Sequence, residues 1–187
     1  MTISVVLADA NILVSRTLRD YFLYAADNGA IEIRWSQQVL AEMSRNLERK
    51  FGLNRAATTR LESLMNDYME YALVTVDPED LATVIDVPMD AKDRHVLAAA
   101  LSAEADILLT ENVKHFPRAW MAERHIELLS AADLLLRLAR EFPSALHAAH
   151  LATVRSSPKS EAEIFETLEA IVGSTVVEAI RDLTGGA

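Results

Sequence analysis

The chain has 187 residues, 51% of them hydrophobic and none of them cysteine, so disulfides, zinc knuckles, iron–sulfur clusters and thiol nucleophiles are excluded together, while the length suffices for one buried core. A net charge of −10 argues against a broad basic surface for nucleic acid. The acid is unevenly spread: residues 1–60 carry 8 basic and 6 acidic side chains, residues 61–130 carry 5 and 14, and residues 131–187 carry 5 and 8.

The N-terminal Met-Thr-Ile-Ser-Val-Val has no basic segment before its apolar run, so it does not read as a signal peptide. No apolar run approaches the ~18 residues of a membrane helix. A soluble, cytoplasmic protein is expected. Ile3 to Ala8 is a short, unbroken apolar run ending at Asp9, the pattern of a strand buried on both faces of a parallel sheet. A helical pattern around Leu18, Phe22, Leu23 and Ala26 follows, closed by Asn28-Gly29, a good C-terminal stop. Ile31 to Arg34 is the second strand candidate. Ser36 then caps a helix with Val39, Leu40, Met43 and Leu47 on its apolar side.

The spacing predicts a further helix from Asn54 to Met69, a third strand at Ala72 to Val76, and a short helix beginning at Pro78. Asp90 to Ala103 reads as an Ala-rich helix leading into a fourth strand, Asp106 to Thr110. Strands alternating with helices imply an α/β layer structure with a mainly parallel sheet of four to five strands. From Ser130 onward the pattern is helix alone, broken at Pro143, Ser156-Ser157-Pro158 and Gly173. Residues 1–130 are therefore read as one α/β domain and residues 131–187 as a helical extension.

Sites in parallel sheets form beyond the carboxyl ends of strands, above all where strand order reverses. Two strand ends carry polar residues there: Asp9 with Asn11, and Thr110-Glu111-Asn112. Asp9 alone reads equally well as a turn or cap residue. Asp90 and Asp93 alone resemble a capping box at a helix start. Glu42 falls on the shoulder of the Val39/Met43 stripe, where a solvated acid is the ordinary case. Together these carboxylates stand on separate elements able to converge on one sheet edge. Clustered carboxylates repel, and a stable cluster normally holds a cation. With oxygen ligands only, that cation would be hard, Mg²⁺ or Mn²⁺, and such ions suit phosphoryl chemistry.

Four blocks carry a further indication: Asp9-Ala-Asn-Ile-Leu; Trp35-Ser-Gln-Gln-Val-Leu-Ala-Glu42; Pro88-Met-Asp-Ala-Lys-Asp93-Arg-His-Val-Leu-Ala-Ala-Ala100; and Thr110-Glu-Asn112 with Phe116-Pro117. In order and spacing the chain resembles PIN-domain proteins over residues 3–128 and, within that family, looks like the bacterial VapC-type toxins. The resemblance implies a three-layer α/β/α fold and an endoribonuclease that cuts single-stranded RNA with Mg²⁺ or Mn²⁺, leaving 5′-phosphate and 3′-hydroxyl ends. It implies Asp9, Glu42 and Asp93 as metal ligands. Asn112 stands where many members have a fourth Asp, which removes one charge. Asp90 is the candidate to replace that charge. Asn11 and Thr110 are expected to orient Asp9 and Asn112 by hydrogen bonds. Lys92, Arg94, Lys114 and Arg118 are the candidates for RNA backbone contacts. The resemblance also implies a homodimer, a small VapB-like antitoxin as partner, and no membrane association.

His147 and His150 stand three apart on a helix with no third ligand evident nearby and are read as surface histidines. His95 is expected to bond at the shoulder of its helix and His115 to lie near the site mouth. Two other classes fit the acidic strand end: a metal-dependent phosphatase, which would favour a second Asp where Asn11 stands, and a PIN-like protein-binding module without catalysis.

Overall fold

A computed structural model describes residues 3–185. Five parallel strands form one sheet in the order β3-β2-β1-β4-β5: β1 Ser4–Ala8, β2 Ile31–Ser36, β3 Leu73–Val74, β4 Ile107–Leu109 and β5 Glu127–Leu129. Helices cover it on both sides, giving the three layers expected from the sequence. The apolar run that opens the chain becomes the central strand, and Val6, Leu7 and Ala8 are completely buried. Parallel pairing requires long crossovers, and these bring β2 and β4 to either side of β1. The strand order therefore reverses at β1, so the carboxyl ends of β1 and β4 lie side by side at the switch point.

The helices are α1 Ala10–Val14, α2 Arg16–Asp27, α3 Gln37–Phe51, α4 Arg55–Tyr68, α5 Pro78–Val84, α6 Arg94–Ser102, α7 Arg118–Ala122, α8 Ala131–Glu141, α9 Pro143–Ser156, α10 Glu161–Val172 and α11 Ser174–Thr184. Local chemistry sets several of their ends. Ser36 Oγ accepts from Val39 N at 3.2 Å and Asn54 Oδ1 accepts from Ala57 N at 2.9 Å, each a cap worth about 1 kcal/mol. Reciprocal capping boxes open α8 (Ser130/Asp133) and α10 (Ser160/Glu163). Gly52 ends α3 at φ +68°, a conformation in which a Cβ would be strained.

Several elements differ from the sequence reading. α1, α7 and β5 were not anticipated; each has five residues or fewer, too short to show a period. β3 is two residues long where five were expected. The helix expected at Asp90 starts at Arg94, because residues 91–93 form a tight 3₁₀ turn capped by Asp90.

The C-terminal helices pack onto the α/β layers. α9 lies against α2, and Leu146, Leu168 and Ile180 belong to the same apolar cluster as the sheet. His150 is completely buried, not a surface residue. Its Nδ1 accepts from the Tyr21 hydroxyl at 2.6 Å, and Nε2, assigned the ring proton, donates to Glu161 at 2.8 Å. The ring stacks on Phe165 with centroids 4.8 Å apart. Burial of this histidine costs little because both nitrogens are satisfied.

Candidate active site

Asp9 leaves the end of β1 with extended backbone and caps α1, its Oδ1 accepting from Ala10 N at 2.6 Å. Its backbone N–H donates to the carbonyl of Leu109 on β4 at 2.9 Å, which locks the two strand ends together. Its Oδ2 accepts from Asn11 Nδ2 at 2.6 Å and from the Thr110 hydroxyl at 2.7 Å. Thr110 Oγ1 in turn accepts from Asn112 N at 3.0 Å, and Asn11 Oδ1 accepts from Glu111 N at 3.0 Å. The Asp9 carboxylate thus has a fixed rotamer, tied to both sequence blocks. It is only 5% exposed. Burial pushes its carboxyl above the usual range, the bonds from Thr110 and Ala10 pull it down, and the charges of Glu42 and Asp93 push it up again.

Glu42 reaches the same region from α3. As expected from the sequence, it stands on the shoulder of the apolar stripe, half-buried and about 60° round the helix from the fully buried Val39. At about 100° per residue, Gln38, Glu42, Arg45 and Arg49 fall within an arc of about 60°, with Glu42 at the edge nearest the buried Val39 and Arg45 and Arg49 turned farther from it. His95 Nε2 stands 3.3 Å from Glu42 Oε2. That hydrogen bond, the His95 charge and more distant Arg45 and Lys92 hold the Glu42 carboxyl below the usual range against a burial effect that raises it.

Asp93 closes the 3₁₀ turn before α6 without bonding to any helix N–H, so the capping role open to it in the sequence is not taken. Its Oδ2 is buried and has no hydrogen-bond partner among the described residues. His115 Nδ1 lies 3.4 Å from it, in ion-pair range but without hydrogen-bond geometry. Asp90 does take the cap: Oδ1 accepts from Lys92 N, and Oδ2 pairs with Lys92 Nζ, both at 3.2 Å. These bonds hold its carboxyl below the usual range.

Glu42, Lys92, Asp93, His95 and Asn112 line one cleft of about 700 Å³, together with Gln38, Ala41, Arg45, Asn46 and Arg49. Asp9 is buried beyond that lining and is coupled to it through the charges of Glu42 and Asp93. Asp90 lies outside the lining. Of the four basic residues named for RNA, Lys92 lines the cleft. Arg94 donates to the Val87 carbonyl, Arg118 to the Leu128 carbonyl, and Lys114 is exposed outside the lining.

A family model described as PIN domain matches residues 5–114, more than half of the chain. The chain belongs to the PIN-domain family. A 45-residue stretch is 47% identical to a Mycobacterium tuberculosis (strain ATCC 25618 / H37Rv) protein named "Putative ribonuclease VapC50", covering 24% of this chain and 27% of that relative. The chain thus spans about a quarter of that relative's length.

The donor set of this PIN domain fits a hard divalent cation in its chemistry: oxygen ligands only, and one buried carboxylate oxygen without a partner, which calls for an explanation such as an ion. As the side chains stand, no three Asp, Glu or His groups among the described residues are arranged to hold an ion. The reason is visible in their bonds. Asp9 is held by Asn11 and Thr110, Glu42 faces His95 and Asp93 faces His115, so each repelling carboxylate has its own neutral or cationic neighbour.

Sequence reasoning did not single out Gln38, Arg45, Asn46 or Arg49 as cleft residues. Steps of three, four and seven along α3 from Glu42 were the available signal.

Proposed function

We propose that this chain is a Mg²⁺- or Mn²⁺-dependent endoribonuclease acting on single-stranded RNA, the toxin of a VapC-type toxin–antitoxin pair. The observation that carries the proposal is the buried Asp93 Oδ2, which has no hydrogen-bond partner among the described residues, near a strand-order switch point where the charges of Asp9, Glu42 and Asp93 act on one another. Membership of the PIN-domain family and the short stretch similar to the Mycobacterium tuberculosis protein support it.

In this reading Asp9, Glu42 and Asp93 hold the cation, which supplies Lewis-acid polarisation of a phosphodiester and activation of water. The chain's own residues set the geometry. Thr110 and Asn11 fix the Asp9 carboxylate, and a fixed ligand loses less freedom on binding. His95 holds Glu42 at the cleft wall. Asn112 brings an amide where a carboxylate would add charge, so the cluster carries three negative charges and one neutral donor. Asp90 serves as the cap of the 3₁₀ turn that presents Asp93. Cleavage is hydrolysis: water oxygen bonds to phosphorus and the 3′-oxygen leaves as a hydroxyl. We further propose residues 1–130 as the nuclease unit, residues 131–187 as a helical extension packed on it, a homodimer, and a VapB-like antitoxin, all in the cytoplasm.

The test is incubation of the purified protein with single-stranded RNA in Mn²⁺ or Mg²⁺. The expected result is cleavage that EDTA abolishes and that Asp93→Asn slows on the order of 10²–10³-fold. A second reading, a PIN-like binding module without catalysis, is favoured by the absence of a three-residue ligand group among the described residues. Absence of cleavage together with a melting temperature indifferent to Mn²⁺ would establish that reading and overturn ours.

A further inference from the structure

The cleft has a second chemical character besides acid. Along the exposed stripe of α3 the charge changes sign: Glu42 is followed one turn later by Arg45 and two turns later by Arg49, all three lining the cleft. At 1.5 Å rise per residue, the arginines stand about 4.5 and 10.5 Å along the helix axis from Glu42, and about 6 Å from each other. Neither has a carboxylate in ion-pair reach among the described residues. Arg49 is instead steadied by Asn46, whose Oδ1 accepts from its Nη2 at 2.8 Å.

Like charges at i and i+4 repel along a helix, and among the described residues no acid forms an ion pair with either, the Arg45 charge reaching Glu42 only at longer range. A role at the helix C-terminus covers Arg49 and Lys50, both in the last turn, but explains neither Arg45 nor why Arg49 lines the cleft while Lys50 does not. In a chain of net charge −10, two guanidinium groups without ion-pair partners among the described residues, beside three carboxylates, suit a ligand with its own negative charges. Guanidinium binds phosphate oxygens in pairs, through planar bidentate hydrogen bonds. Successive phosphates along a nucleic-acid strand stand at a spacing comparable with that of the two arginines.

The geometry points to Arg45 and Arg49 as the track that holds the RNA backbone on one side of the scissile phosphate, one phosphate per arginine. This rests on the ribonuclease reading above and gives it a direction: the bound strand runs along α3, away from Glu42 toward Gly52. The acidic centre then repels the strand locally while the arginines retain it. Affinity arises from α3 and cleavage from the strand ends.

The experiment uses the full chain and a labelled single-stranded RNA oligonucleotide, with binding measured in the cleavage-silenced Asp93→Asn background and cleavage in the wild-type background. Arg45→Ala and Arg49→Ala should each weaken binding on the order of tenfold. Each should also flatten the slope of log affinity against log salt by ~0.7, the contribution of one phosphate contact on a single strand. In the wild-type background the double variant should raise KM with little change in kcat. Arg45→Lys/Arg49→Lys should keep the salt slope while binding less tightly. Arg140→Ala, an exposed control on α8, should leave all of these unchanged. Circular dichroism and melting of each variant report that it is folded. If the wild type cleaves RNA and the Arg45→Ala/Arg49→Ala variant matches it in affinity, slope and KM, the track is wrong while the nuclease reading stands. If the wild type neither binds nor cleaves RNA, both fall.

Discussion

The acid-lined cleft at the β1–β4 edge and the Tyr21–His150–Glu161 chain beneath the C-terminal helices both set titratable groups among apolar packing, and they treat those groups differently. Around His150 every polar atom has a partner: the Tyr21 hydroxyl, both ring nitrogens and an exposed carboxylate form one line of hydrogen bonds, while Phe165 covers the ring face. Burial pushes the Tyr21 phenol above its ordinary range, so it remains a donor at all working pH values. At the cleft, Asp93 Oδ2 and His95 Nδ1 are buried without hydrogen-bond partners among the described residues, and burial first, like charges second, raise the Asp9 carboxyl. A polar cluster that only holds structure is completed internally, because each unsatisfied buried group costs about 1–3 kcal/mol. Arg34 Nε and Arg94 Nε also lack partners among the described residues, but each belongs to a guanidinium bonded through its Nη atoms, whereas the cleft leaves a carboxylate oxygen open, as the proposed external partner requires.

The largest effect separating the two clusters is expected at His150. His150→Ala removes a stacked ring, opens a cavity and strands the Tyr21 hydroxyl. It should cost about 3 kcal/mol of folding stability, or roughly 6–12 °C in melting temperature for a chain of this size. Nuclease activity per folded molecule should be unchanged at low temperature; an equal loss of activity would break the division between the clusters. Thr110→Val tests the opposite side. It removes the hydroxyl that donates to Asp9 and accepts from Asn112 N, and with Asp9 in the proposed role of metal ligand the proposed nuclease activity should fall about 10–100-fold, the usual effect of losing such an orienting bond. Stability should fall by about 1–2 kcal/mol. A variant as active as wild type would mean that Asp9 needs no orienting partner.

Asp93→Asn sharpens the contrast further, since activity and stability should move in opposite directions. The amide keeps the shape of the side chain and removes one of three repelling carboxylates, which outweighs the loss of the His115 contact, so in EDTA the variant should be more stable by about 0.5–1 kcal/mol. Urea unfolding measures this. A clear loss of stability would make Asp93 a structural residue like His150.

Where the determinants were local, the sequence was readable. The apolar run ending at Asp9, the cap Ser36, the helix start near Asn54 and the strand end at Thr110 each depend on neighbours within a few residues. β5 and α7 depend on the sheet already being there, and three or five residues carry no period of their own. His150 was misread for a related reason: an i, i+3 histidine pair has the same spacing on a wet face as on a dry one, and the deciding partner, Tyr21, lies 129 residues away. In the cleft the acids were legible as a set. Their pairing with His95 and His115 was not, because it depends on how α3, α6 and the turn after β4 meet. Arg45 and Arg49 lie in a helix whose apolar face was read and whose polar side was not followed beyond Glu42.

A third kind of polar contact, completed but wet, gives the smallest expected effect. Glu127 on β5 and Arg137 on α8 form a two-pronged pair at 2.6 and 2.8 Å, tying the sheet edge to the first C-terminal helix. The Arg137 hydrogen bonds hold the Glu127 carboxyl below its ordinary range, burial opposing. Its side chain is 50% exposed, so solvent screens most of the attraction and the pair contributes about 0.5 kcal/mol. Because the folded carboxyl titrates below the unfolded value of 4.5, the contribution is complete above that value and is lost as pH falls through the folded one. Glu127→Gln should therefore melt slightly below wild type at pH 7 in low salt, and the gap should shrink both in 1 M salt and as the pH drops below about 4.5. A gap that persists in acid or high salt would place the clamp's contribution in packing of the side-chain stems, and would bring β5–α8 closer to the dry His150 cluster than to a surface ion pair.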